Sequence, residues 1–210
     1  LFSAPAQVII NPNFLKTLDD FAIDSGLGEI FKLHITGGPQ MMANFSANLN
    51  KGRPVNFAVF KTLILWSLSV KRAVIEADEF ELDIRRSLNY WHIIGHAVEA
   101  LSDFNVPHGQ AVTIGIMIVN ELACRHGLFD PKQNQELKIM ARQLLDNHIV
   151  KIMRLLPTDG LKQLLKKDKK TLGSKVTLVI IRSIGDMRFH QLELDAALQD
   201  EIALIIKELF

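Results

Sequence analysis

A chain of 210 residues, 48% hydrophobic and 22% charged, can bury a sizeable core and is read as one domain over residues 1–210. Its net charge of +1 gives no electrostatic case for nucleic acid, and its longest apolar runs, such as Ala111 to Val119 with Gly115 inside, are too short to cross a bilayer. One cysteine, Cys124, excludes an intrachain disulfide framework and fits a reducing, cytoplasmic setting, while the start, with neither methionine nor a basic-then-apolar leader, reads as cut from something longer.

In chain order, Gln7 to Ile10 is a short apolar run before Asn11-Pro12, expected to form an edge strand with a partner that is not evident in this sequence and is read as lying outside it. Leu18 to Leu33 has a helical pattern with Asp19 and Asp20 near its start, and Ser25-Gly26 and Gly28 are places where it can split. Glu29 and Lys32 share a face of that helix, and by themselves describe an ordinary surface ion pair. After Gly37-Gly38-Pro39 come a short helix to about Leu49 and a loop through Gly52-Arg53-Pro54. Phe57 to Ala77, rich in Leu, Ile and Val, is expected as a long helix buried on several sides. Within it Lys71 either snorkels or binds an anion.

Beyond that helix, Asp78 to Asp83 forms an acidic entry to the stretch 85–110, RRSLNYWHIIGHAVEALSDFNVPHGQ. Read as a helix, it carries Arg85, Asn89, His92 and His96 on one face at spacings of four, three and four. The turn Asn105-Val106-Pro107 then delivers His108, so three imidazoles can meet. The pair His92 and His96 has a spacing suited to zinc, but Ile93 stands where a zinc protease carries its glutamate base. Ala111 to Arg125 is a buried helix ending near Gly127, and Asp130-Pro131 opens another to about Asn147. Helices over 150–156 and 161–166 flank a turn at Pro157 to Gly160. Strands follow near 175–182 and 187–192, and Leu194 to Leu209 closes the chain as an amphipathic helix. The fold class expected is therefore mainly α, with a few short β-strands.

The run Asp78-Glu79, Glu81, Arg85, Leu88-Asn89, His92, Gly95-His96-Ala97, Glu99, His108-Gly109, Ala111-Val112 and Ile114-Gly115 resembles the signature of the 3-dehydroquinate synthase family of sugar phosphate cyclases. Further matching motifs lie at Ala4-Pro5, Asn11-Pro12, 14–18 and 26–32, and again at Asp168-Lys169-Lys170, Gly173 and 178–185. The likeness thus spans most of the chain, in order, and is to the family's helical C-terminal domain.

That resemblance implies a lyase of the shikimate pathway. Its substrate is a seven-carbon keto-sugar acid phosphate, which it converts to 3-dehydroquinate with loss of phosphate. It implies a metal site of Glu29, His92 and His108 for Zn2+, or another divalent ion such as Co2+, with coordination positions left open to substrate. Lys32, Lys71, Arg85, Asn89, His96 and Lys169, or its neighbour Lys170, are implied as the residues that grip phosphate and carboxylate and handle protons. Spacing alone leaves His96 open as a metal ligand; the resemblance assigns that role to His92. NAD is implied too, bound mainly by an upstream α/β domain, because no glycine-rich strand-turn-helix unit occurs here. Alone, this chain is expected to bind metal weakly and to turn nothing over. Its partners are expected to be that upstream domain and a second copy in a homodimer.

Trp91 stands where the family has glycine, Ile93 where it has a hydroxyl residue, and Gln110 where it has glutamate. Another sugar phosphate cyclase, a metal-dependent polyol dehydrogenase and a non-catalytic remnant are the competing readings. Glu29-x-x-Lys32 favours a cyclase over a dehydrogenase. His34, His126, His148 and His190 match nothing and are read as solvated or structural.

Overall fold

In a computed structural model of the chain, the described residues are 6–80, 84–157, 160, 171–172 and 175–210, without the side chains of His92, Thr171 and Leu172. Eight α-helices are found among them, one central and seven around it, with a three-stranded sheet on one side. The mainly helical fold expected from the sequence is the one formed.

The centre is α5, His108–Arg125, which has buried residues on every side from Gly109 to Ala123. A helix apolar all round belongs inside. Packed against it are α1 (Asp20–Thr36), α4 (His92–Leu101), α6 (Pro131–Leu144), α8 (Ala196–Leu209) and strand β4 (Lys175–Ser183). Asp19, Asn56, Asp130 and Asp195 each accept a backbone N–H at the start of the helix that follows them, satisfying a donor that has no partner within the helix.

Helix α1 runs unbroken through Gly26 and Gly28. The second glycine has a packing reason: a Cβ there would lie 1.8 Å from the carbonyl oxygen of Gly109, and a Cβ on Gly109 would lie 1.6 Å from that of Ser25. The backbones of α1 and α5 therefore cross in contact, joined by a hydrogen bond from Gly109 N to Ser25 Oγ of 3.0 Å. This crossing sets Glu29 beside His108.

The short helix α2 (Pro39–Ala47) leads into a hairpin where a loop was expected. Its strands β1 (Leu49–Asn50) and β2 (Arg53–Pro54) meet at Lys51-Gly52, both at positive φ, and Arg53 ties the hairpin to Asp20 and Asp24 of α1. Helix α3 spans Phe57–Ala77, the bounds read from the sequence, but it is not buried on several sides: only Phe60, Leu63, Ser67 and Val74 are buried, and Leu65 is 62% exposed. The segment 7–10 is not a strand. Val8 and Ile9 are exposed and no described segment pairs with it; a lone strand leaves its ladder groups unmet.

The helix expected from Arg85 onward is two pieces. A 3-10 helix, Ile84–Asn89, ends at Tyr90, and α4 begins after Trp91, whose φ of 101° breaks the face on which Arg85, Asn89, His92 and His96 were placed together. The cause is burial of two adjacent aromatic residues in different places. Tyr90 sends its hydroxyl to Asn120 of α5, while Trp91 lies against Gly95 and Gly115. Helix α6 stops at Leu144, short of Asn147, because Asp146 caps a new helix α7, Asn147–Leu155. The turn expected at 157–160 and the helix at 161–166 lie largely or wholly outside the described residues. Strands β4 and β5 (Asp186–Glu193) form the expected hairpin, extended by a short β3 (Thr171–Leu172).

Candidate active site

Three elements meet above the start of α5 and enclose a cleft of about 290 Å³. Helix α1 contributes Glu29 and Lys32, α3 contributes Lys71, and the 3-10 helix contributes Arg85 and Asn89; Trp91 and His108 close the floor. Six of the nine residues singled out from the sequence therefore line one cavity. His96 stands just outside it, its ring 5.3 Å from that of Trp91 and 6.5 Å from that of His108. His92 is the first residue of α4, with its side chain outside the described residues, and Lys169 and Lys170 also lie outside them.

Glu29 is the hub of the cleft's charges. Its Oε2 is 2.9 Å from Lys32 Nζ, and its Oε1 is 3.4 Å from His108 Nε2. The pair with Lys32 is not the surface pair its spacing suggests, because Lys32 is 7% exposed. Burial pushes the Lys32 ammonium below lysine's usual range and the charge of Lys71 adds to this, while Glu29 pulls the other way. With Lys71 and Arg85 beside it, three cations and the amide of Asn89 face one space. That set suits an anion, and a guanidinium in it suits a planar carboxylate.

The donor set also fits a divalent ion. Adjacent ligand atoms of a tetrahedral zinc, with bonds of about 2.0–2.1 Å, stand about 3.4 Å apart, and Glu29 Oε1 and His108 Nε2 are already at that separation. Among the described residues no group of three His, Cys, Asp or Glu side chains is placed to hold a metal, so a third ligand has to come from beyond them.

Two residues carry more than the sequence indicated. Trp91 is 3% exposed, with its ring 4.9 Å from that of His108 and Lys32 Nζ 5.7 Å from its ring centroid. A Cβ on Gly95 would fall 1.9 Å from the indole, so glycine is what admits the ring. Glu99 is the second, a residue to which the sequence assigns no role. Its carboxylate is 2.9 Å from His108 Nδ1, a partnership signalled only by its place three residues after His96.

Gln110 does not face the cleft. It is fully buried, donating from Nε2 to the carbonyls of Asp24 and Leu144 at 3.1 and 2.9 Å and accepting from Asp146 N at 3.1 Å. It clamps α1, α6 and α7 together, a task that needs an amide's donors as well as its acceptor. His34, read as solvated or structural, is structural: its Nδ1 is 2.8 Å from Ile30 O and it is fully buried. Cys124 packs against the core, where burial pushes its thiol up to about 11. No helix among the described residues is long and apolar enough to cross a membrane.

This fold is that of the sugar phosphate cyclases. The chain superposes on 2-deoxy-scyllo-inosose synthase, solved with carbaglucose-6-phosphate, NAD+ and Co2+, with a TM-score of 0.76 over 94% of this chain and 55% of that one, at 17% identity. It also matches 2-epi-5-epi-valiolone synthase from Streptomyces hygroscopicus subsp. jinggangensis 5008, solved with NAD+ and Zn2+, at a TM-score of 0.73 and 21% identity over 95% and 54%. The family described as 3-dehydroquinate synthase C-terminal matches residues 26–171, more than two thirds of the chain, and the chain belongs to that family. Among its relatives are the 3-dehydroquinate synthases of Enterococcus faecalis OG1RF, 30% identical over 91% of this chain and 52% of that protein, and of Streptococcus pneumoniae Hungary19A-6, 31% identical over 92% and 54%. The chain spans about half the length of these relatives.

Proposed function

We propose that this chain is the metal- and substrate-binding half of a 3-dehydroquinate synthase, acting in the cytoplasm with an upstream NAD-binding domain and as a homodimer. The observation that carries the reading is the cleft itself. It holds a carboxylate and an imidazole at ligand separation, and beside them Lys32, Lys71, Arg85 and Asn89. The substrate class is a seven-carbon keto-sugar acid phosphate, whose two anionic ends need that many cations.

Glu29, His92 and His108 would hold the divalent ion, Zn2+ or Co2+. When bound, the ion would acidify substrate hydroxyls, and NAD would accept and return a hydride. The residues of this chain do the rest. Arg85, with two N–H groups in one plane, is matched to the carboxylate, and Lys71 at the rim meets phosphate on entry. Lys32, whose ammonium is held below its usual range, is suited to exchanging a proton with the substrate. Asn89 orients a hydroxyl, and Trp91 closes the floor against water. His96 and Lys169 complete the set of proton-handling and phosphate-binding residues.

A second reading rests on Trp91. An indole against His108 narrows the cleft and supports a sugar phosphate cyclase acting on another substrate. One experiment separates the two. The intact parent protein, upstream half included, is given NAD, Zn2+ and the seven-carbon keto-acid phosphate, and release of phosphate is followed together with formation of 3-dehydroquinate. Both should appear, and Glu29→Ala or His108→Ala should abolish both. Zinc binding without either product overturns the dehydroquinate assignment in favour of the second reading.

A further inference from the structure

Glu99 lies on α4 with its side chain 12% exposed, and its carboxylate reaches toward both neighbouring imidazoles. Oε1 is 2.9 Å from His108 Nδ1 and Oε2 is 4.0 Å from His96 Nε2. On the opposite edge of the His108 ring, Nε2 is 3.4 Å from Glu29. His108 thus stands between two carboxylates, and a neutral imidazole has one N–H to give. Nδ1 faces Glu99 at the shorter separation and Nε2 faces Glu29 at the longer. The base of Glu99 is fixed as well, since its carbonyl accepts from Ser102 Oγ at 3.0 Å and Phe104 N at 2.9 Å. Trp91, nearly perpendicular to the imidazole at 4.9 Å, packs against it.

We infer that Glu99 is a positioning residue that holds His108 as the Nδ1–H tautomer and aims an unprotonated Nε2 at Glu29, so making the nitrogen donor of a divalent-metal site. The inference rests on reading Glu29 and His108 as ligands. A carboxylate behind a ligating histidine fixes the ring and raises its basicity, and losing such a partner costs about 10–100-fold in metal affinity.

The test uses the intact parent protein, upstream half included. Long-range proton–nitrogen NMR of the imidazoles at alkaline pH, with His108→Gln to assign the signals, reads the tautomer without any metal. Wild type should show Nδ1 protonated and Nε2 bare at His108, and Glu99→Ala should move the proton to Nε2. A Co2+ titration followed by visible absorption should show affinity reduced about 10–100-fold in Glu99→Ala. Glu99→Gln keeps the volume and loses the charge. It should weaken Co2+ binding while leaving the thermal midpoint of the metal-free chain unchanged, which a merely structural role would not do. An Nε2–H tautomer in wild type overturns the inference, as does unchanged tautomer and affinity in both variants. Wild type with the expected tautomer but no Co2+ binding refutes the ligand reading of Glu29 and His108 instead, so the two failures are distinguishable.

Discussion

Replacing Gly109 with alanine probes the seam that builds the site. The added methyl would sit 1.6 Å from Ser25 O, where ordinary contact begins near 3.4 Å, and the opposing atom is backbone within a helix. The helices α1 and α5 must then part by about 1.8 Å, which a close-packed interior resists. Overpacking costs about 3 kcal/mol at the upper end of its usual range. Straining the bond from Gly109 N to Ser25 Oγ adds about 1 kcal/mol, and alanine's better helix propensity returns about 1 kcal/mol. The net loss is about 3 kcal/mol, or roughly 6–12 °C in Tm for a chain of this size. Gly26→Ala on the same helix α1 is the control. Nothing lies within 4 Å of its added Cβ, so it should gain about 0.5–1 kcal/mol. Urea and thermal unfolding of both variants check the pair. If Gly109→Ala falls within 1 kcal/mol of Gly26→Ala, the claim that backbone contact between α1 and α5 sets the Glu29–His108 distance is refuted.

Other consequences follow from the same structure. Gln110→Glu removes the amide donors to two buried carbonyls and places a carboxylate among them, so stability should fall by about 3 kcal/mol at neutral pH. The loss should shrink in acid, where the new carboxyl is neutral; a pH-independent loss would count against burial of the group. Trp91→Gly relieves a left-handed backbone worth about 1–3 kcal/mol but empties a space whose loss costs about 3–5 kcal/mol. Denaturant titration should show a net loss of about 2 kcal/mol, and a stabilised variant would mean the indole is not packed as described. Burial holds His34 below histidine's usual value, against the opposing bond to Ile30, so the unfolded chain binds its proton first as the pH falls. The contribution of neutral His34 is intact above about pH 6.5 and is lost as the pH drops through the folded value. Thermal midpoints of His34→Leu should accordingly decline less between pH 7.5 and 5 than those of wild type, and parallel curves would rule the residue out.

Local pattern carried much of this protein. The largely apolar run from Ala111 to Val119 places α5 at the centre, the run from Phe57 to Ala77 gives α3 its bounds, and β-branched alternation marks the β4–β5 hairpin. The order of motifs from Glu29 to Gly115 was enough to point to the family and to nominate six residues that the fold gathers into one cleft. What periodicity cannot encode is a contact between residues distant in the chain. The face drawn through Arg85, Asn89, His92 and His96 assumed one helix, but burying Tyr90 against Asn120, 30 residues away, required a break at Trp91. Lys32 reads as a surface lysine until α3 and the 3-10 helix close over it. Gln110 reads as an altered active-site position until its amide is seen spanning α1, α6 and α7. The nearness of Glu29 to His108, 79 positions apart, exists because glycines at 28 and 109 let two backbones touch, and only the assembled tertiary structure brings those glycines together.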